Sequence, residues 1–260
     1  MAGILGMMLL TLDQLVIGAV AGVAAVAYYA VAGRLVMQSQ LFSSALARTL
    51  FPRLSLVGPA EAKQLASRAL VALALGYGAI VATAIVITPV FFHFWLGEEF
   101  ASTSSPLAQI MFIGVWFSAL IVAPFHLLQA QGRPDLPGKV TAIEIVPFFV
   151  ALWWATWAFG LTGAAVVWTL RQAFEAIVTL WLSGMPRSSI VTASPSIAVS
   201  LIALVVAHEA GPRISVALPA AVFVGAISVG LALVRSEDLR RMALSATGRL
   251  FAFRGLRGAA

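Results

Sequence analysis

The stretch "MLLTLDQLVIGAV" (Met8 to Val20) sets one aspartate, Asp13, inside an otherwise apolar run, and the solvent assigned to that run decides the fold. The rest of the chain identifies the solvent. Of 260 residues, 61% are hydrophobic and 10% charged, with a mean hydropathy of +1.00. An ordinary soluble domain carries about 25% charged residues. A water-soluble fold of this length could not hide so much apolar surface, so the run is read as a helix in lipid.

About eight such runs follow one another, each judged against the ~20 apolar residues that cross a bilayer as a helix. They lie near Ala2 to Val20, Ala24 to Phe51, Ala69 to Trp95, Leu107 to Leu128, Val140 to Phe159, Leu161 to Leu182, Val191 to Ala207 and Ile214 to Val234. Prolines at Pro89, Pro124, Pro195 and Pro219 fall within them and predict kinks, which lipid-embedded helices tolerate because neighbours re-satisfy the freed backbone groups. The fold class is therefore an all-α integral membrane protein. The absence of cysteine excludes disulfides and thiolate metal sites, and His93, His126 and His208 show no ligand spacing, so neither metal nor cofactor is expected.

Basic residues give the orientation. One set of alternating connections holds Arg53, Lys63, Arg68, Arg133, Lys139, Arg187 and the tail residues Arg235, Arg240, Arg241, Arg249, Arg254 and Arg257. The other set holds Arg213 beside the acidic "GEE" at Gly97 to Glu99. Short cytoplasmic loops collect Lys and Arg, so both termini are predicted to be cytoplasmic. The pI near 10.8 reflects this topology, and no nucleic-acid-reading motif is present. After Ser236, Leu239, Met242, Ala246, Leu250 and Phe253 recur at helical spacing among arginines, which fits either a helix lying on an anionic inner leaflet or a disordered solubilising tail. The start of the chain has no basic region before its apolar core, unlike a secretory signal.

Charges within the apolar runs need partners, water or a ligand, because each costs about 2.5 to 3.5 kcal/mol at mid-membrane on insertion scales. Asp13 and Arg34 lie at similar distances before and after the turn at Gly22, roughly 12 to 16 Å deep at ~1.5 Å per residue. They are expected to form an ion pair. The second run, read as one helix about 42 Å long, also carries Gln38, Ser44 and Arg48, a polar stripe suited to a cavity. Arg171 and Glu175 are four residues apart and expected to neutralise each other, whereas Glu144 is read as a boundary charge that Lys139 or Arg133 could approach. Trp95, Trp153, Trp154, Trp157 and Trp181 are read as an interfacial aromatic belt.

Four segments carry a family resemblance: "LDQLVIGAVAGVAAVAYYAVAGRLV" (Leu12 to Val36), "LFPRLS" (Leu50 to Ser55), "FWLGEEF" (Phe94 to Phe100) and "LLQAQGRPDLP" (Leu127 to Pro137). In order and separation they resemble the polysaccharide (O-antigen and exopolysaccharide) flippases of the multidrug/oligosaccharidyl-lipid/polysaccharide exporter superfamily. Ala27 departs from the pattern, standing where the family often has glycine. The resemblance implies a MATE-like architecture of two six-helix lobes around a cavity. Residues 1–185 would be the second lobe, 186–235 two added transmembrane helices and 236–260 a basic cytoplasmic tail, with the N-terminal lobe missing. It implies transport of undecaprenyl-linked oligosaccharide units across the bacterial inner membrane by alternating access, with no catalytic residues. Arg34, Gln38, Ser44 and Arg48 would line the cavity, and Asp13, Glu144, Arg171 and Glu175 would serve ion pairing or coupling. The alternatives are a drug/cation antiporter of the same superfamily, which should favour acidic over basic cavity groups, and a membrane glycan ligase or scaffold.

Overall fold

A computed structural model describes residues 2–241, with the side chains of residues 2–11, 46–49 and 51 outside that description. Lipid leaves the backbone no outside hydrogen-bonding partner, and helices satisfy it internally. The described residues are 92% helical, with no strand among them. The helices are α1 (Ala2–Ala21), α2 (Val23–Ser39), α3 (Leu41–Leu56), α4 (Pro59–Leu96), α5 (Glu98–Ala130), α6 (Asp135–Ser183), α7 (Arg187–Ala193), α8 (Pro195–Ala210) and α9 (Ile214–Arg235). Among the described residues, five stretches are long and apolar enough to cross a membrane: α4, α5, α6, α9 and the region Arg187–Ala210.

The antiparallel neighbours α4 and α5 form the centre, and their side chains Leu70, Leu75, Ile85, Phe92, Leu107, Leu127 and Leu128 are among the most deeply buried. On α5 rest α2, α3 and α6; α1 fills the angle between α6 and α2. α8 and α9 pack chiefly on α4. Their contact stripes are small, Ser196, Ser200, Ala203 and Ala207 on α8 and Ala217, Ala221, Ser228 and Ala232 on α9, whereas Ile202, Val205, Val222 and Phe223 point outward. Small side chains inside and bulky apolar ones outside suit helix association where lipid is as apolar as leucine.

α6 is a hairpin. A straight helix of 49 residues would be about 74 Å long. Gly160 instead takes φ 62°, ψ −148°, a conformation open almost only to glycine, and residues 161–183 fold back along residues 135–159. The arms meet closely because Gly163 has no side chain: a Cβ there would collide with the Ala155 carbonyl oxygen. The runs from Val140 to Phe159 and Leu161 to Leu182 occupy these two arms.

One expectation needs correction. The run from Ala24 to Phe51 is not one helix, since the structure divides it at Gln40 into α2 and α3. The seventh run is interrupted at Pro195, as its proline predicts, α8 beginning there. Helix continues through Pro89, Pro124 and Pro219. Pro89 cannot donate to the Ile85 carbonyl, and Gln109 of α5 supplies the missing donor with Nε2 at 3.2 Å.

Candidate functional site

The polar groups inside the apolar bundle gather where α1 meets the α6 hairpin. Glu144 lies on the first arm of α6 and Arg171 on the second, brought together by the reversal at Gly160. Arg171 donates to Glu144 Oε1 through Nε at 3.0 Å and Nη2 at 2.7 Å, to Glu175 Oε2 through Nη2 at 3.3 Å, and to Gln172 Oε1 through Nη1 at 3.2 Å. Its guanidinium carbon stands 5.4 Å from the Phe148 ring centroid, within cation–π range. The second oxygen of Glu144, Oε2, is buried with no hydrogen-bond partner.

Asp13 extends this group from α1. It is only 5% exposed, and its Oδ1 accepts the Gln14 backbone N–H at 2.6 Å. Tyr29 of α2 stands beside it, its hydroxyl buried without a well-formed hydrogen bond, and Arg171 is its cationic neighbour. Two carboxyl groups thus contact one guanidinium and a third, Asp13, lies within its electrostatic reach; with all three ionised the net charge would be −2. They do not converge as metal ligands, for no group of three such side chains meets that requirement among the described residues. A cleft of about 290 Å³, walled by Ile143, Val167, Leu170 and Phe174, opens beside Glu144 and Arg171.

Two of the pairings expected from the sequence are replaced. Asp13 and Arg34 form no ion pair. Their depths match, but their faces do not: on α2 the inward positions are Tyr29, Ala32 and Val36, and Arg34 lies about 200° around from Ala32 at 100° per residue. Glu144 is a buried partner of Arg171 rather than a boundary charge, and Lys139 instead binds Asp135, one turn before it, at 2.5 Å. The i,i+4 contact between Arg171 and Glu175 is present, as the weaker part of a larger network.

The second polar group faces outward. Arg34 and Gln38 are exposed on α2, flanked by apolar surface that includes Leu41 and Phe42, and neither has a hydrogen-bond or ion-pair partner among the described residues. Ser44 is half-buried and donates to the Leu41 carbonyl at 3.0 Å. The Arg48 side chain lies outside the described residues. Trp95, Trp153, Trp154, Trp157 and Trp181 are all exposed, in contrast to Trp116, whose Nε1 donates to the buried Ala74 carbonyl at 2.9 Å.

Sequence reasoning missed Tyr29, Phe148 and Gln172. A Tyr-Tyr pair does not reveal which ring turns inward, and contacts between the arms of α6 require the reversal at Gly160. Of the expected surface helix, Leu239 lies within the described residues, while Met242, Ala246, Leu250 and Phe253 lie outside them.

Comparison with known proteins finds no matching family model and no matching solved structure. A curated relative from Shigella flexneri, named "Putative O-antigen transporter", is 26% identical over 171 residues, covering 65% of this chain and 41% of its own length. The chain thus spans about two fifths of that relative. Together with the long apolar helices, this similarity bears out the resemblance to polysaccharide flippases that the four motifs carry, in a multi-pass membrane protein.

Proposed function

We propose that the chain forms one lobe of a transporter that moves undecaprenyl-linked oligosaccharide units across the bacterial inner membrane by alternating access, without enzymatic chemistry. The observation that carries this reading is the exposed, unpartnered Arg34 with Gln38 one turn away on an apolar face of α2. A guanidinium at such a position in a transmembrane helix is stable beside water or an anion and unstable against lipid. A second lobe, from the same longer chain or from a partner, would close a cavity over this face, and the partial span of the O-antigen transporter relative supports that arrangement. There Arg34, Gln38, Ser44 and Arg48 would meet the pyrophosphate or acidic sugars of the substrate, guanidinium being suited to bidentate phosphate contacts.

The buried cluster supplies a coupling element in this reading. Glu144 and Glu175 share Arg171 with Asp13 of α1 within its electrostatic reach, and gain or loss of a proton there would alter the attraction that holds α1 against the α6 hairpin. The acid-rich cluster also favours a second reading, cation-coupled drug export, in which Arg34 has no substrate role. Export of surface polysaccharide in a flippase-null bacterium separates the two. The chain joined to its upstream reading frame should restore export in its native glycan pathway, and Arg34→Ala in that longer form should abolish it at normal membrane expression. Full export by Arg34→Ala would remove the cavity role, and no export by a well-expressed long form would favour drug export.

A further inference from the structure

At the end of the bundle where α4 begins and α9 finishes, a polar pocket of about 370 Å³ lies between α4, α7 and residues 235–241. It differs in kind from the other cavities. Those along α4 and α9 are walled by apolar side chains, whereas this one is bordered by Arg68, Arg235 and Arg241 and by the hydroxyls of Ser67, Ser188 and Thr192. Its depth follows from the sequence. Arg68 immediately precedes the apolar run beginning at Ala69, and Arg235 immediately follows the run ending at Val234, so both stand at the boundary between hydrocarbon and water.

Three features indicate what the pocket takes. Arg68 and Arg235 are exposed and without an ion-pair partner among the described residues, leaving both guanidinium groups free to engage a ligand. Ser67, more than nine-tenths buried, borders the pocket, and its hydroxyl has no hydrogen-bond partner. The acidic members are Glu237 and Asp238; Glu237 is occupied by Arg241 at 3.5 Å. Three guanidinium groups against two carboxylates leave a net positive site with a buried hydroxyl unused, and Asp238 opposes an anion.

We propose that this pocket binds a phosphate group, carried by an anionic lipid headgroup or supplied as free phosphate, held by Arg68 and Arg235 with Ser67 as the buried hydroxyl partner. Forked guanidinium donors match phosphate oxygens, and basic pockets between transmembrane helices at the membrane boundary are suited to lipid headgroups. A bound phosphate would bridge the start of α4 to the end of α9, joining the central pair of helices to the helices packed on it.

The test uses the whole 260-residue chain in a neutral maltoside detergent. It is titrated separately with dioctanoyl phosphatidylglycerol, sodium phosphate and zwitterionic dioctanoyl phosphatidylcholine, and the thermal unfolding midpoint is followed by tryptophan fluorescence. Phosphatidylglycerol or phosphate should raise the midpoint. Arg68→Gln/Arg235→Gln should increase the half-saturating concentration at least about tenfold, the loss of one charge-assisted contact, and Asp238→Asn should decrease it. A response to phosphatidylglycerol without one to phosphate assigns the site to a lipid headgroup, and a response to phosphate alone assigns it to free phosphate. No response to either, an equal response to phosphatidylcholine, or the same half-saturation in parent and variants would overturn the proposal. If the double variant does not fold, Asp238→Asn and Ser67→Ala decide: stronger and weaker binding respectively support the site, and unchanged binding in both overturns it.

Discussion

Arg171 holds Glu144 and Glu175 together, and the result of removing it depends on what stays behind. Arg171→Leu leaves both carboxyl groups buried without their cation and should cost about 3 to 5 kcal/mol of stability, measured as reversible unfolding in detergent. Combining it with Glu144→Leu removes one stranded charge, so the double variant should recover part of that loss. Full additivity of the two losses would show that the pair is not coupled. Gln109 offers a neutral comparison at the same scale. Gln109→Leu strands the Ile85 carbonyl opposite Pro89 and should cost about 1 to 3 kcal/mol, the ordinary penalty for an unsatisfied buried acceptor. An unchanged unfolding midpoint would mean that another donor reaches that carbonyl.

Among the elements, the α6 hairpin depends on two glycines for different reasons. At Gly160 the backbone itself is the constraint, and Gly160→Ala should destabilise by about 1 to 3 kcal/mol although nothing lies within 4 Å of the added methyl group. At Gly163 the constraint is the facing arm: Gly163→Val puts a branched side chain into the Ala155 carbonyl and forces the arms apart, separating Glu144 from Arg171. Gly230→Ala in α9 provides the control, since its Cβ would meet nothing and helix propensity favours alanine. Thermal melts should rank Gly230→Ala at or above the parent and both α6 variants below it. Equal melts for all three would show that the turn tolerates a Cβ. The division at Gln40 has a simpler lesson, that a continuous apolar run does not ensure a continuous helix.

For the whole molecule, the bias of arginine and lysine toward one set of connections predicts its orientation. The chain contains no cysteine, so single cysteines report their side without interference. Glu61→Cys and Arg133→Cys should react with a membrane-impermeant maleimide only after spheroplasts are permeabilised, and Ser102→Cys should react in intact ones. The reverse pattern would place both termini outside. On the proposal that a second lobe packs against this chain, the exposed face of α2 that carries Arg34 is the surface it would cover.

The sequence by itself determined the solvent, the helical class and the resemblance to polysaccharide flippases, because these depend on composition, on the length of apolar runs and on short motifs in order. It also identified the charged residues within those runs. It did not determine their partners. Depth along a helix follows from counting residues, which made Asp13 and Arg34 look like a pair, but the direction in which a side chain points follows from how helices rotate against one another. Only the tertiary structure turned Tyr29 inward and Arg34 outward, and only the reversal at Gly160 brought Glu144 to Arg171 from 27 positions away. The physical reason is that burial of apolar surface is nonspecific and legible from local sequence, whereas pairing of buried charges is set by close contacts that packing alone decides.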